Sequence, residues 1–588
     1  MEIQNLKALE GGGEIETDLL IIGGGAAGLS IAYEFFGETT RVLIAESGDR
    51  VQTDEHERLN EVDFDATNTP ATWRSRRNEY HGHQASKWSG DVQKFGVRCR
   101  GLGGSTAAWA GKCAPFPGHD LVTRDWLPVS GWPFDAAVIE PFVRRAERRL
   151  NIGSGPYDDT FWAQYTGRGQ SPGFDTDVFS SFFWQFARSR SNPVDMLRMG
   201  SDFAKESPSN VRILINSTAR EILPIGDDGW ARARFTGFEA PETSVKARKV
   251  VIACGALENA RLLLESKSQC PAGLGNDRDQ IGRYLMDHMN ARIVQFDNKD
   301  TDAITSRFGY FGIKTGNRVD IYTHGIGLNL PIQEREGLVN CGIYCVADRA
   351  QDDPWGATVA ILRGKSTNLA KDLFSILKAP GLMFTGAGRI FLQNPSVPKQ
   401  LKNLIVDNAV RFFPNFVVEE YQSQGLPLKL VSCGFDAVVE QEPLPQNRVL
   451  LSNKTNALGI ALPKVEWEPG ERPIRTLMRT GELVVEQFKQ AGLPVPKVTD
   501  WIKEGDLSAA PVIDMAHTSG TTRMSDDPTT GAVDPNSKLR HCDGVYVAGG
   551  SVLPTCSHTN PTLQIVAMSI RLADHLKSEL KSELSSRP

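Results

Sequence analysis

The sequence predicts an α/β protein: a Rossmann-like parallel-sheet domain, discontinuous in the chain, with an interleaved α+β domain built on an antiparallel sheet. Three observations carry this prediction. An apolar run at 19–22 enters the glycine turn Gly23-x-Gly25-x-x-Gly28 and is followed by helix-like spacing and a second apolar run. Two further apolar strand-glycine units, KVVIACGALENARLLL (249–264) and VYVAGGS (545–551), recur far downstream. Between about residues 300 and 500, short alternating segments punctuated by turn residues replace the apolar runs. The expected division assigns 15–150, 206–300 and 505–588 to the parallel-sheet domain. It assigns 151–205 and 301–504 to a substrate-binding domain.

The first unit is the most informative. Residues 19–22 read as a buried parallel strand. The glycines after it allow a tight turn and let backbone N–H groups approach a pyrophosphate at the positive end of a helix carrying Leu29, Ile31, Ala32, Phe35 and Phe36. Residues 41–45 form the second strand, ending on Glu46, eighteen residues after Gly28 and placed to accept hydrogen bonds from a ribose. A lone glycine turn would say little; strand, turn, helix, strand and acid in this order predict dinucleotide binding.

The polar tract 49–89, with Trp73, Arg74, Arg76, Arg77, His81 and His83, offers few helix or strand signals. It reads as a solvated surface excursion, with a lid or subunit contact as the alternative. Residues 101–111 hold four glycines beside Ser105 and Thr106, a backbone suited to packing against something flat or anionic. Residues 136–150 read as a helix with Arg144, Arg145, Arg148 and Arg149 on its outside. The aromatics of 151–205, at helical spacing, predict core with some members lining a pocket. Val211–Ile215 and 250–253 read as buried strands, the latter followed by Gly255 and a leucine-bearing helix. Alternating segments at 318–322, 338–346, 428–435, 448–452 and 464–467 suit an antiparallel sheet. Helical tracts are expected at 369–377, 397–412 and 474–491.

Composition narrows the field further. The 588 residues are 40% hydrophobic and 23% charged, with a formal net charge of −6. This is an ordinary balance, which argues against nucleic acid and anionic membrane as partners. The nine cysteines are odd in number, scattered and without C-x-x-C spacing, so reduced buried thiols and no metal site are expected. Residues 1–16 lack an export-signal pattern, and no window approaches about 20 apolar residues. A cytoplasmic protein without a transmembrane segment is expected, with export alongside a partner left open.

Four blocks stand in order: IIGGGAAG (21–28), GLGGSTAAWAGK (101–112), KVVIACGALENARLLL (249–264), and HTSGTTRM (517–524) with VAGGSVLPT (547–555) and TNPTLQIVAMSIRLADHL (559–576). Together they resemble the glucose-methanol-choline (GMC) oxidoreductase family over about half the chain. In the middle region EQEPLPQNRVLLS (440–452) is the most family-like part. GALENARLLL, the Gly-Trp-Pro-Phe segment at 131–134 and HTSGTTRM look most like the branch of pyranose oxidases and sugar or glycoside dehydrogenases.

The resemblance implies FAD. Its adenosine diphosphate would lie on Gly23, Gly25, Ala26, Ala27, Gly28, Glu46 and Ser47. Its isoalloxazine would reach toward Gly103, Gly104, Ser105 and Thr106, Gly255, and the C-terminal Gly549, Ser551, Asn560, Pro561 and Thr562. Some pyranose oxidases bond the flavin through a histidine in a Ser-Thr-His-Trp segment. Here Ser105-Thr106-Ala107-Ala108-Trp109 has alanine in that place, which implies non-covalent FAD. The family's catalytic pair falls on His517 and Asn560. His558 is a weaker substrate candidate, and His288 is expected to be structural.

The implied reaction is oxidation of a secondary hydroxyl of a sugar or glycoside to a ketone. His517 would take the hydroxyl proton, Asn560 would orient the hydroxyl, and the hydride would go to flavin. A non-sugar alcohol of a biosynthetic pathway stays open as substrate, as does a non-redox, lyase-type reaction, since fold alone does not determine function. Oxygen, a quinone or an electron-transfer protein would each serve as acceptor. A homo-oligomer or a small accessory subunit is compatible with the sequence.

Overall fold

The computed structural model describes residues 2–585 apart from 10–12, 66–70, 85–86, 166–170, 194, 207, 317, most of 350–395 and most of 413–429. The helical tract expected at 369–377 lies outside the described residues. The strand Glu14–Ile22 starts polar and turns wholly apolar at Leu19; Leu19, Leu20 and Ile21 are fully buried. A strand covered on both faces needs such a run, and truncating one of these side chains to alanine would cost about 2–5 kcal/mol.

Around it the parallel strands run in the order Glu2–Asn5, Val211–Ile215, Val42–Ala45, Glu14–Ile22 and Thr243–Ile252, with Val545–Val547 also paired to the last. Ala231–Thr236 and Thr218–Leu223 extend the sheet antiparallel. The registers decide where a ligand goes. Ile22 lies opposite both Ala45 and Ile252, and Val547 also lies opposite Ile252. The strands therefore end level, and the turns that follow them share one crevice.

The second layer is an antiparallel sheet in the order Lys497–Val498, Met289–Gln295, Leu430–Val439, Cys341–Arg349, Arg318–Leu328, Phe179–Phe186 and Lys112–Cys113. Tyr310–Thr315 and Ile513–Asp514 attach to its flanks. Met289–Gln295 lies within the stretch expected in the parallel-sheet domain, yet it pairs here with Leu430–Val439. The helix Glu471–Gln490 covers this sheet through Leu477, Leu483, Val484 and Phe488. The helix Lys399–Phe412 stands close to the expected 397–412.

Three local expectations are corrected. The aromatics Phe179, Phe182, Phe183, Trp184 and Phe186 belong to a strand, not a helix. Phe183 stacks on Phe161 at 3.9 Å, while Phe182 and Trp184 meet on the other face at 4.2 Å. The spacing fits period two as well as a helical face, and cross-strand pairing with Arg318–Leu328 decides it. The tract 49–89 is not a solvated excursion, because it contains the helix Ala71–Gln84. Trp73, Arg77 and His81, four residues apart, form one buried face of that helix. Arg77 pays for its burial with a hydrogen bond from Nε to Asp514 Oδ1 at 2.8 Å, plus bonds to the Gln93 and Gly96 carbonyls. The helix Ala136–Arg149 forms as expected, but Arg145 binds Asp574 and Glu34, and Arg149 binds Glu34. These arginines clamp neighbouring helices.

Candidate active site

A cavity of about 760 Å³ lies between the level strand ends and the antiparallel sheet. Gly23, Gly25, Ala26 and Ala27 line one end. Gly25 caps the helix Ala26–Glu34 without a side-chain hydrogen bond, which leaves the first helical N–H groups free for an anion. A Cβ on Gly25 would meet nothing nearer than 4.0 Å, and one on Gly255 nothing within 4 Å. Both positions are open ground that a ligand can approach. Gly28 serves differently: its Cβ would lie 2.0 Å from the Gly23 carbonyl oxygen, so it permits helix-on-strand contact and does not line the cavity.

Glu46 and Ser47 also line the cavity. The Glu46 carboxylate accepts from the backbone N–H groups of Gly24 (2.8 Å), Gly48 (2.8 Å) and Gly101 (3.1 Å). It thus ties the first glycine turn to the second glycine block, and the ribose contact expected of it competes with these three donors. Ser47 Oγ accepts from Arg100 at 2.7 Å. In the second block Gly104, Ser105 and Thr106 line the cavity, whereas Gly103, at φ +100°, packs where a Cβ would come 2.6 Å from Gly200 N. At the C-terminal end Gly549, Pro561 and Thr562 line it. Ser551 stands behind them, its hydroxyl accepting from Asn259 at 2.7 Å. These residues fit FAD, with open glycines and free helix-end amides at one end and room for a ring system at the other.

His517 and Asn560 share this cavity, both half-buried. Backbone pairing sets them: Met515 N bonds the His288 carbonyl at 3.0 Å, and His517 N donates to Asp287 Oδ1 at 2.9 Å. His288 Nε2 lies 2.8 Å from the Cys556 carbonyl oxygen, which can only accept, so Nε2 carries the hydrogen. His288 Nδ1 is then an acceptor, and it lies 2.8 Å from His517 Nδ1. His517 must donate from Nδ1, which leaves its Nε2 with a lone pair, 3.3 Å from Asn560 Nδ2. Burial pushes His288 down to about 4. Burial, then neighbouring His288, His81 and Lys112, holds His517 well below the usual imidazole range. A neutral imidazole aims an unprotonated nitrogen into the cavity.

His558 stands elsewhere. It is buried beside Phe182, ring centroids 4.7 Å apart, neither ring nitrogen is hydrogen-bonded among the described residues, and it does not line the cavity. His288 was expected to be structural; its contact with His517, and the hold of the neighbouring Asp287 on the His517 backbone, were not foreseen. Their signal was the adjacent pair in IGRYLMDH, just ahead of a strand, but nothing local says that this pair lands under residue 517. Lys112 also lines the cavity and was not singled out.

An unprotonated imidazole nitrogen at one end of a cavity whose other end is an open glycine turn suits a cofactor-dependent oxidoreductase. More specifically, the chain belongs to the GMC oxidoreductase family, whose two models match residues 17–290 and 443–569. Members of this family are FAD-binding oxidoreductases acting on CH–OH groups. Paromamine 6'-oxidase of Streptomyces fradiae is 21% identical over 96% of this chain and 92% of its own length. The fructose dehydrogenase large subunit of Gluconobacter japonicus is 21% identical over 96% and 99%. C-glycoside 3-oxidase of Arthrobacter globiformis is 29% identical over 24% of this chain and 26% of its own. Among solved structures, a fungal aryl-alcohol oxidase aligns with a TM-score of 0.53 at 14% identity, covering 96% of this chain and 99% of that one, and shares the fold. No helix among the described residues is long and apolar enough to cross a membrane.

Proposed function

We propose that the protein oxidises a secondary hydroxyl of a sugar or glycoside to a ketone, using non-covalently held FAD. The observation that carries this reading is the pair His517 Nε2 and Asn560 Nδ2, 3.3 Å apart on the cavity wall. One substrate oxygen can bridge them, donating its proton to Nε2 and accepting from the amide. His517 takes the hydroxyl proton as charge grows on oxygen, and the Asn560 amide supports that charge without gaining a proton. FAD, when bound, supplies the acceptor for the carbinol hydride, so proton and hydride together leave the C=O product. The names of the sugar- and glycoside-acting relatives point the same way.

The test is anaerobic titration of the purified yellow protein with a panel of sugars, glycosides and polyols. Bleaching of the flavin by a carbohydrate supports the proposal; a flavin left oxidised by the whole panel, yet bleached by a non-sugar alcohol, removes the sugar substrate. Denaturation in acid should release the flavin into solution.

A further inference from the structure

Lys112 follows the second glycine block on the short strand Lys112–Cys113, at the edge of the antiparallel sheet beside Phe179–Phe186. It lines the same cavity as His517, on a wall shared with Asn290, Tyr344 and Asp436. Its ammonium sits 3.6 Å from the centroid of the Trp184 ring and 3.9 Å from that of Tyr344. The two rings stand 6.0 Å apart and nearly perpendicular.

An aromatic cradle attracts a cation through the ring quadrupoles but satisfies none of its three N–H donors. Among the described residues nothing else does so: Lys112 has no hydrogen-bond acceptor and no carboxylate at ion-pair distance. Asp436 acts on it only through space. That carboxylate is bonded by Arg292, which also reaches Asp348 at 3.1 Å. Burial pushes the ammonium down to about 7. Lys112 is half-buried and faces the cavity, so a ligand that displaces water there leaves its donors unmet unless the ligand itself supplies an acceptor. A neutral hydroxyl would meet one donor and leave the charge; a carboxylate meets both needs.

We propose that Lys112 recognises a carboxylate on the substrate, making a uronic acid or its glycoside the preferred sugar; this rests on the carbohydrate reading above. The same ammonium disfavours a protonated amino sugar in that position.

The test uses the FAD-loaded enzyme, mixed anaerobically with methyl glucuronide and with methyl glucoside, which differ at one carbon. For the wild type, the acid should reduce the flavin with kcat/KM about tenfold or more above the neutral glycoside, the worth of one hydrogen bond to a charged group. Lys112→Met, checked for flavin content and melting temperature, should erase the preference through KM for the acid. Lys112→Arg should restore part of it. Titrating the acid against flavin absorbance should show binding to the wild type and loss in Lys112→Met. A neutral glycoside that serves as well as the acid, or a preference that survives in Lys112→Met, overturns the proposal while leaving sugar oxidation standing. If no carbohydrate of either kind reduces the flavin, both fall together.

Discussion

Replacing His288 with leucine removes the nitrogen that accepts the His517 Nδ1 hydrogen at 2.8 Å, without touching the cavity itself. His288 is fully buried, so leucine in its place leaves the His517 Nδ1–H facing an apolar side chain. A buried donor left unpaired costs about 1–3 kcal/mol. His517 avoids that cost by rotating, or by moving its hydrogen to Nε2, and either response withdraws the lone pair from the substrate. At about 1.4 kcal/mol per tenfold, flavin reduction should slow by roughly 5- to 150-fold. The assay is anaerobic stopped-flow reduction of bound flavin at saturating substrate, so that kcat is read apart from KM. His288→Asn, whose amide oxygen can stand near the place of Nδ1, should recover much of the rate. A folded, flavin-loaded His288→Leu protein that reduces its flavin at the wild-type rate would refute the tautomer reasoning.

The remaining expectations concern folding and pH. Gly28→Ala should not accumulate as a flavin-loaded protein, because its Cβ would meet the Gly23 carbonyl at 2.0 Å; Gly25→Ala, with 4.0 Å of space, should fold yet lose flavin, as absorbance at purification will show. Arg77→Met leaves the fully buried Asp514 carboxylate without its guanidinium and should lower stability by about 3–5 kcal/mol in denaturant titration. The folded state resists protonating His288, whose value is about 4, whereas the unfolded chain protonates near the usual ~6.5. The unfolded state therefore binds more protons as pH falls below about 6.5. Stability should be full above that point and fall by about 3 kcal/mol toward pH 4, with His517, also depressed, adding to the loss.

What the sequence revealed and what it hid have physical reasons. The glycine turn at Gly23, the second block at Gly104 and the Val545–Val547 unit were legible because tight turns and doubly covered strands demand particular residues locally. The strand Phe179–Phe186 was misread because its period is settled by partners at Arg318–Leu328, far along the chain. The helix Ala71–Gln84 was missed because its inward face carries Arg77 and His81, and the carboxylate that offsets the buried charge of Arg77, Asp514, lies more than four hundred residues away. His517 stood out by its motif. The atom that sets its tautomer, His288 Nδ1, comes from a different part of the chain, brought under it by the pairing of Met289–Gln295 with Ile513–Asp514.

The most direct test of the account is the His517→Ala protein, loaded with FAD and mixed anaerobically with a carbohydrate that bleaches the wild type. Loss of a positioned base predicts flavin reduction slower by roughly 10²- to 10⁴-fold, with flavin content and melting temperature unchanged. Reduction at the wild-type rate would contradict it and take the proton-accepting role away from His517.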